Sequence, residues 1–395
     1  NDVRMKESSY YVNSFSIDYV VGVLGAATAL GNPSLGNVYL GTPFFRNHTD
    51  EFRLKSWGLF GEAYYDLTDQ LKITVGLRYN DDKKYVRARS TLASFPVPVN
   101  ATNAFDSPFV GAFDADPGTP GNQLWQERDV AFNELTGRVV VDYRFTDDNM
   151  VYASYSRGYK SGGINPPLQP IFAVPETFAP EFIDAFEIGS KNRFADGTVQ
   201  FNATAFYYKY KGLQLSRIVA RTSVNDNVDA NIWGLEVEGI LRPIPPLAIN
   251  LSASYLHTEV ATDKFLADPF DPSGGRSDAV IVKDITNGAN CAVIANNGSA
   301  ALTNGYVTAV NTQLGLQAPT AFPTDSGING ATGAFGICSV LGANAAAAGV
   351  QVLSPGVANN IKGNSLPQAP EYKVSAGVQW TQDLSNGMSI VPRVD

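Results

Sequence analysis

The segment YASYSRGYKSGGINPP, Tyr152 to Pro167, gathers Arg157, Lys160, three tyrosines and two adjacent glycines. Residues of these types can hold an anion. In the pattern G-x-x-x-x-G-K-[ST], backbone N–H groups of a glycine turn cradle a phosphate while Lys neutralises it. The spacing here does not fit: Gly158 stands two places before Lys160, and Pro166 and Pro167 follow where the pattern needs a helix. The two histidines, His48 and His257, have no nucleophile motif beside them, so no catalytic residues and no enzyme activity are expected. Two cysteines, Cys291 and Cys338, and two histidines are too few for a zinc, haem or iron–sulfur site. Neither a metal site nor a cofactor is expected.

The elements that position these residues are set by composition and period. Hydrophobic residues make up 44% of the 395 residues but charged ones only 17%, below the roughly 25% of soluble proteins. Part of the surface is therefore expected to face a medium other than water. No apolar run is long enough for a transmembrane helix. A net charge of −9 without a basic patch argues against nucleic acid as a partner. The chain starts at Asn1 and stops inside an alternating pattern, MSIVPRVD, so it reads as a fragment.

The dominant period is two, the signature of strands with one apolar and one polar face. In LKITVGLRY, Leu71, Ile73, Val75, Leu77 and Tyr79 alternate with Lys72, Thr74, Gly76 and Arg78. ELTGRVVVDYRF, TVQFNATAFY, IWGLEVEGIL, LAINLSASY and YKVSAGVQW repeat the pattern. Short polar turns, DLTDQ, TDDN, ADG, PIPP and SNG, alternate with long connections near 20–53, 86–128, 161–180, 212–228 and 261–366. About eleven strands result. Tight turns at one end and long loops at the other are the pattern of outer-membrane barrels. Lys72, Arg78, Arg138, Asp142, Glu236 and Glu238 on the polar faces would be costly in a sandwich core but not in a wet lumen.

The fold class expected is all-β: an antiparallel transmembrane β-barrel with short periplasmic turns and long extracellular loops. Tyr65, Tyr143, Phe145, Phe194 and Trp380 would form the girdle near the turns, and Tyr79, Tyr159, Tyr207 and Tyr255 the opposite one. Parity points Arg157 outward, roughly 20 Å up a band about 25 Å tall, where its long side chain can reach head groups. The connection 261–366, rich in Gly, Ala, Asn and Thr, is expected to be a long extracellular loop. It holds both cysteines, and an oxidising exterior favours a Cys291–Cys338 disulfide over two unpaired thiols.

Several stretches resemble TonB-dependent receptors of Gram-negative outer membranes. They are GLFGEAYYDLTDQLKITVGLRYNDDKK, YASYSRGYKSGGINPP, PEFIDAFEIGSKNRFADGTVQFNATAFYYKYKGLQ, NVDANIWGLEVEG and NSLPQAPEYKVSAGVQW, in the family's order. The resemblance implies one barrel domain across residues 1–395, about half of a 22-stranded barrel whose lumen is plugged. The N-terminal plug and TonB-binding box would lie outside it. It implies uptake of a large scarce nutrient, ferric siderophores being the commonest class, coupled to TonB. Saccharides, cobalamin or haem, or a passive porin-like channel, are the alternatives. Outer-membrane lipid and lipopolysaccharide are the surrounding partners implied. Trp125, Arg128, Lys160, Phe172 and Phe178 are the candidate substrate-binding residues, since Arg and Lys suit anionic chelates and aromatic rings suit aromatic chelators or sugars.

Overall fold

A computed structural model of the chain describes residues 1–13, 38–39, 44–93, 97–98, 125–167, 174–219, 222–284, 289–313 and 337–395. Eleven strands form one antiparallel sheet. In chain order these are β1 (Asp2–Asn13), β2 (Phe44–Asp66), β3 (Leu71–Ala93), β4 (Gln126–Thr146), β5 (Asn149–Lys160), β6 (Glu181–Phe194), β7 (Val199–Val219), β8 (Thr222–Ile244) and β9 (Leu247–Val260). Three further strands belong to an insertion: β10 (Val280–Asp284), β11 (Ala289–Ala295) and β12 (Val350–Leu353). The large sheet then ends with β13 (Tyr372–Trp380) and β14 (Arg393–Val394). Each strand pairs with the next sheet strand in the chain, a pure meander with β1 and β14 at its edges.

Turn chemistry explains one end. Asp147 and Asp148 alone connect β4 to β5. Ala195, Asp196 and Gly197 all adopt positive φ between β6 and β7, and the Gly197 and Thr198 amides close that turn on Phe194 and Ala195. At the other end the strands run much further than alternation predicts. β2, β3 and β8 are each 23 residues long, roughly 75 Å at about 3.3 Å per residue, against a hydrocarbon band of about 25 Å. Residues 44–53, 86–93 and most of 212–228, expected as loop, are strand. The last misreading has a local cause. Gly212, at φ +67, sits in a bulge between Tyr210 and Leu213 that reverses the side-chain parity of upper β7. A two-residue period read across it breaks, although the strand continues.

Register aligns the apolar faces into rows. One row runs Val75, Val139, Tyr155, Phe186, Tyr207 and Trp233 across six strands. These side chains are exposed, Phe186 to 48% and Leu77, on the same face, to 57%. Trp57 and Tyr79 contact each other at 5.3 Å between centroids, as do Tyr155 and Phe186 at 5.0 Å and Trp233 and Tyr255 at 5.4 Å. Rings thus form a belt at the outer edge of the apolar band, while Tyr65, Tyr143, Phe145, Phe194 and Trp380 stand exposed near the turns. Tyr159 leaves the expected girdle. Above Arg157, β5 no longer pairs with β4, and the Tyr159 hydroxyl donates to Asp82 at 3.0 Å on the polar face. The polar face is cross-linked: Arg138 pairs with Glu62, Tyr208 donates to Glu187 at 2.6 Å, and Tyr152 shares a hydrogen bond with Thr204.

Residues 261–366 hold a small folded unit rather than open loop. Strands β10, β11 and β12 form an antiparallel sheet. Helices α1 (Ala300–Gln313) and α2 (Ile337–Ala345) cover it. Val282, Val293, Val307, Leu341 and Val350 make a dry core, and a disulfide joins Cys291 and Cys338. Ser299 caps α1 through the Leu302 amide, and the Tyr306 hydroxyl donates to the Leu341 carbonyl. The unit is rooted on the large sheet: the Val260 amide donates to Asn364, Ala261 to Asp229, and Leu366 to the Thr258 hydroxyl.

Candidate functional site

The connection from β5 to β6 folds over the polar face. Glycines make this close approach possible. A Cβ on Gly162 would stand 2.3 Å from the Phe178 carbonyl oxygen and 2.7 Å from Phe132 Cζ. Gly163–Ile164 then pairs with Thr177–Phe178 as a short ladder. Three contacts from different strands hold it. Lys84 of β3 donates to the Gly162 carbonyl. Arg128 of β4 makes a two-pronged pair with Glu176, 2.8 Å on each side. Asn165, 4% exposed, treats Asn225 of β8 as a neighbouring strand would: its Nδ2 donates to the Asn225 carbonyl at 2.9 Å and its Oδ1 accepts the Asn225 amide at 2.8 Å. The segment therefore bridges β3 and β4 to β8.

Beside this bridge lies a cavity of about 510 Å³. Its walls include Val130 and Phe132 of β4, Phe178 and Pro180 of the bridge, Asn225 and Asp226 of β8, and Lys264 from the root of the insertion. Asp226 is buried and accepts Lys264 Nζ at 3.0 Å and Arg217 Nε. Of these two cations Lys264 lines the cavity, opposite its aromatic wall. Such a mix of apolar wall and few convergent polar groups is what ligand sites are generally made of. A second depression, about 530 Å³, lies on the polar face near the turns and is lined by charged and amide side chains such as Lys191, Arg193, Glu236 and Glu238.

The residues singled out from sequence fall into different places. Phe178 lines the cavity. Arg128 stands on the polar face, its guanidinium engaged with Glu176. Lys160 is on the same face, 3.7 Å from Glu181. Trp125 lies on the apolar side of the wall, above the band, between Arg87 and Arg89 and edge-on to His48 at 4.8 Å. Phe172 lies outside the described residues. His257 packs on Trp233 of the apolar face at 5.2 Å. Phe132, Asn165, Asp226 and Lys264 were not singled out. Phe132 had a signal, an aromatic ring on the polar parity of β4. Lys264 had none, because its partner Asp226 is 38 positions away and on another strand.

An open meander with an exposed apolar band, two aromatic belts and a polar opposite face defines a wall of a membrane β-barrel. The model of the family described as TonB dependent receptor-like, beta-barrel matches residues 5–393, and the chain belongs to that family. The apolar face is accordingly the lipid face of a Gram-negative outer-membrane barrel, and the polar face its lumen. No curated protein was found to match the sequence. Among solved structures it is similar to the ferric yersiniabactin uptake receptor FyuA from Yersinia pestis, at 15% identity and TM-score 0.48, over 89% of this chain and 37% of that one. It is also similar to the siderophore receptor PiuA from Acinetobacter baumannii, at 11% identity and TM-score 0.42, over 89% and 37%. The alcaligin outer-membrane receptor FauA from Bordetella pertussis shares 14% identity at TM-score 0.34, over 66% and 39%. The chain thus spans well under half the length of these proteins.

Proposed function

We propose that this barrel segment belongs to a receptor that captures a ferric siderophore at its outer mouth and passes it inward through energy supplied by TonB. The observation that carries the reading is the cavity beside the bridge, lined by the aromatic residues Phe132 and Phe178 and by the cation Lys264. A compact anionic chelate with aromatic rings is complementary to both. Binding there would involve no covalent step. Arg128 and Lys160 serve this reading indirectly, by fixing the bridge and the upper end of β5 through Glu176 and Glu181.

The test is uptake by a strain lacking the gene and complemented with the full-length receptor. Labelled ferric chelates and labelled oligosaccharides are offered in parallel. Replacing Phe178 by Ala and Lys264 by Gln together is expected to cut ferric-chelate uptake by roughly tenfold at limiting substrate, an aromatic and a charged contact being lost. Surface expression should stay unchanged. Uptake of saccharide but not chelate by the wild type would overturn the siderophore reading.

A further inference from the structure

On the lipid face, the step above the aromatic belt is charged on three neighbouring strands. Tyr155, Phe186 and Tyr207 stand opposite one another across β5, β6 and β7, and two residues further from the turns come Arg157, Asp184 and Lys209. Lys211 follows, opposite Phe182. Two residues at about 3.3 Å each along a tilted strand raise these groups roughly 5 Å above the belt, which is head-group depth. As parity requires, Arg157 points outward, and its partners hold it there. Its NH1 lies 3.0 and 3.2 Å from the two Asp184 oxygens, its guanidinium packs over the Phe182 ring at 4.8 Å, and Tyr155 donates to Asp184 at 2.8 Å. Lys209 and Lys211 are exposed and have no ionic partner among the described residues. On these three strands three cations stand against one carboxylate, with Asp229 of β8 engaged by the Gly212 amide beside Lys211; the chain as a whole has 29 basic to 38 acidic residues.

Below the cations the outward face is apolar and flat in the middle. Ala203 and Ala205 of β7 and Ile188 of β6 share it, flanked by the Tyr155–Phe186 pair and by Trp233. An amphiphile lying against the wall would therefore put acyl chains on the alanine floor and its polar end among Arg157, Lys209 and Lys211.

We infer that Arg157, Lys209 and Lys211 form a site for a phosphorylated lipid of the outer leaflet, with Asp184 and Tyr155 as positioning residues for Arg157. The occupant is a lipid because the cations sit directly on an acyl-binding surface. Its head group carries phosphate because two free ammonium groups and an oriented guanidinium match a multiply charged anion. This site is separate from the lumenal cavity, and its failure leaves the uptake reading intact.

The experiment uses the full-length receptor, purified in neutral detergent. It is offered vesicles of neutral phospholipid with or without lipopolysaccharide, and lipid retained by the protein is counted by native mass spectrometry. The pair Lys209→Gln and Lys211→Gln is expected to retain roughly thirtyfold less lipopolysaccharide than the wild type, about one kcal/mol being lost per cation. Lys72→Gln, on the lumenal face near the turns, serves as the control and should retain the wild-type amount. Chelate uptake by the Lys209/Lys211 variant should also stay at the wild-type level. Equal retention by the Lys209/Lys211 variant, or equal loss by Lys72→Gln, would overturn the site. Equal retention of lipopolysaccharide and of its dephosphorylated form would also overturn it, because the cations would then not be recognising phosphate.

Discussion

The wall and the insertion between β9 and β13 solve the same problem with opposite surfaces. In the wall the large apolar side chains point out: Leu59 is 71% exposed and Ile188 63%. In the three-stranded sheet of the insertion they point in, with Val282 and Val293 fully buried beneath two helices and a disulfide beside them. In both, neighbouring strands are joined by antiparallel backbone pairing. The difference is the solvent. A strand against lipid gains nothing by hiding its leucines, whereas a unit of about a hundred residues in water must build a core and, being small, benefits from a cross-link. Exposure alone is therefore not a sign of instability in this chain; it reports which medium each region meets.

The contrast can be broken most strongly at the cross-link. Cysteines 47 positions apart close a loop whose removal costs about 4 kcal/mol in the chain-entropy account. Cys291→Ser with Cys338→Ser in the full-length receptor should expose the insertion to protease while the barrel keeps its heat-modifiable migration on gels. Simultaneous loss of the barrel would show that the two regions are one cooperative unit.

A charge on the lipid face comes next. Leu77→Arg, in the apolar band one step inside the Tyr79 ring of the belt, should destabilise the barrel by about 2 kcal/mol and lower its level in the outer membrane. The same substitution at Phe270, 97% exposed in the insertion, should change neither. Similar effects at both positions would mean that residue 77 does not face hydrocarbon.

The smallest effect is a pH dependence at the root of the insertion. Asp263 lies outside the membrane band, and the Asn360 amide and then the Lys362 ammonium hold its carboxyl below the ordinary carboxylate range. A depressed value in the folded state contributes stability above the unfolded value and loses it as pH falls through the folded one. Proteolysis at the root should accelerate modestly below about pH 4. Asp263→Asn should flatten that profile by raising the neutral-pH rate to the wild type's acid rate. A wild-type profile that is flat in acid would remove Asp263 from the root's stability.

Much of this was legible beforehand, and particular residues show why. Leu71 to Tyr79 alternate because neighbours two apart share a face, so the two-faced wall, its turn end and the outward aim of Arg157 could be read from spacing alone. The upper strands could not. Gly212 sits in a bulge whose extra residue changes which neighbours share a face, so the run to Val228 looked like loop. The insertion was hidden for a different reason. Short strands and a helix such as AALTNGYVTAVNTQ carry little amphipathic signal, and their core exists only once β10, β11 and β12 pair. Of the candidate site, Phe178 was visible as an aromatic ring in a loop, but Trp125 has its ring on the other side of the wall.

By itself the sequence determined the period-two strands, the exposed apolar band, the tight turns at one end and the cysteine pair available for a cross-link. Each is a local matter of residue type and spacing of a few positions. Tertiary structure alone decided that Gly162 lies against Phe132, that Asn165 seats on Asn225, and that Lys264 reaches Asp226 across a cavity walled by Phe178. Those contacts join residues 30 to 60 positions apart. They depend on strand register and on where the bridge lands, which no local pattern specifies.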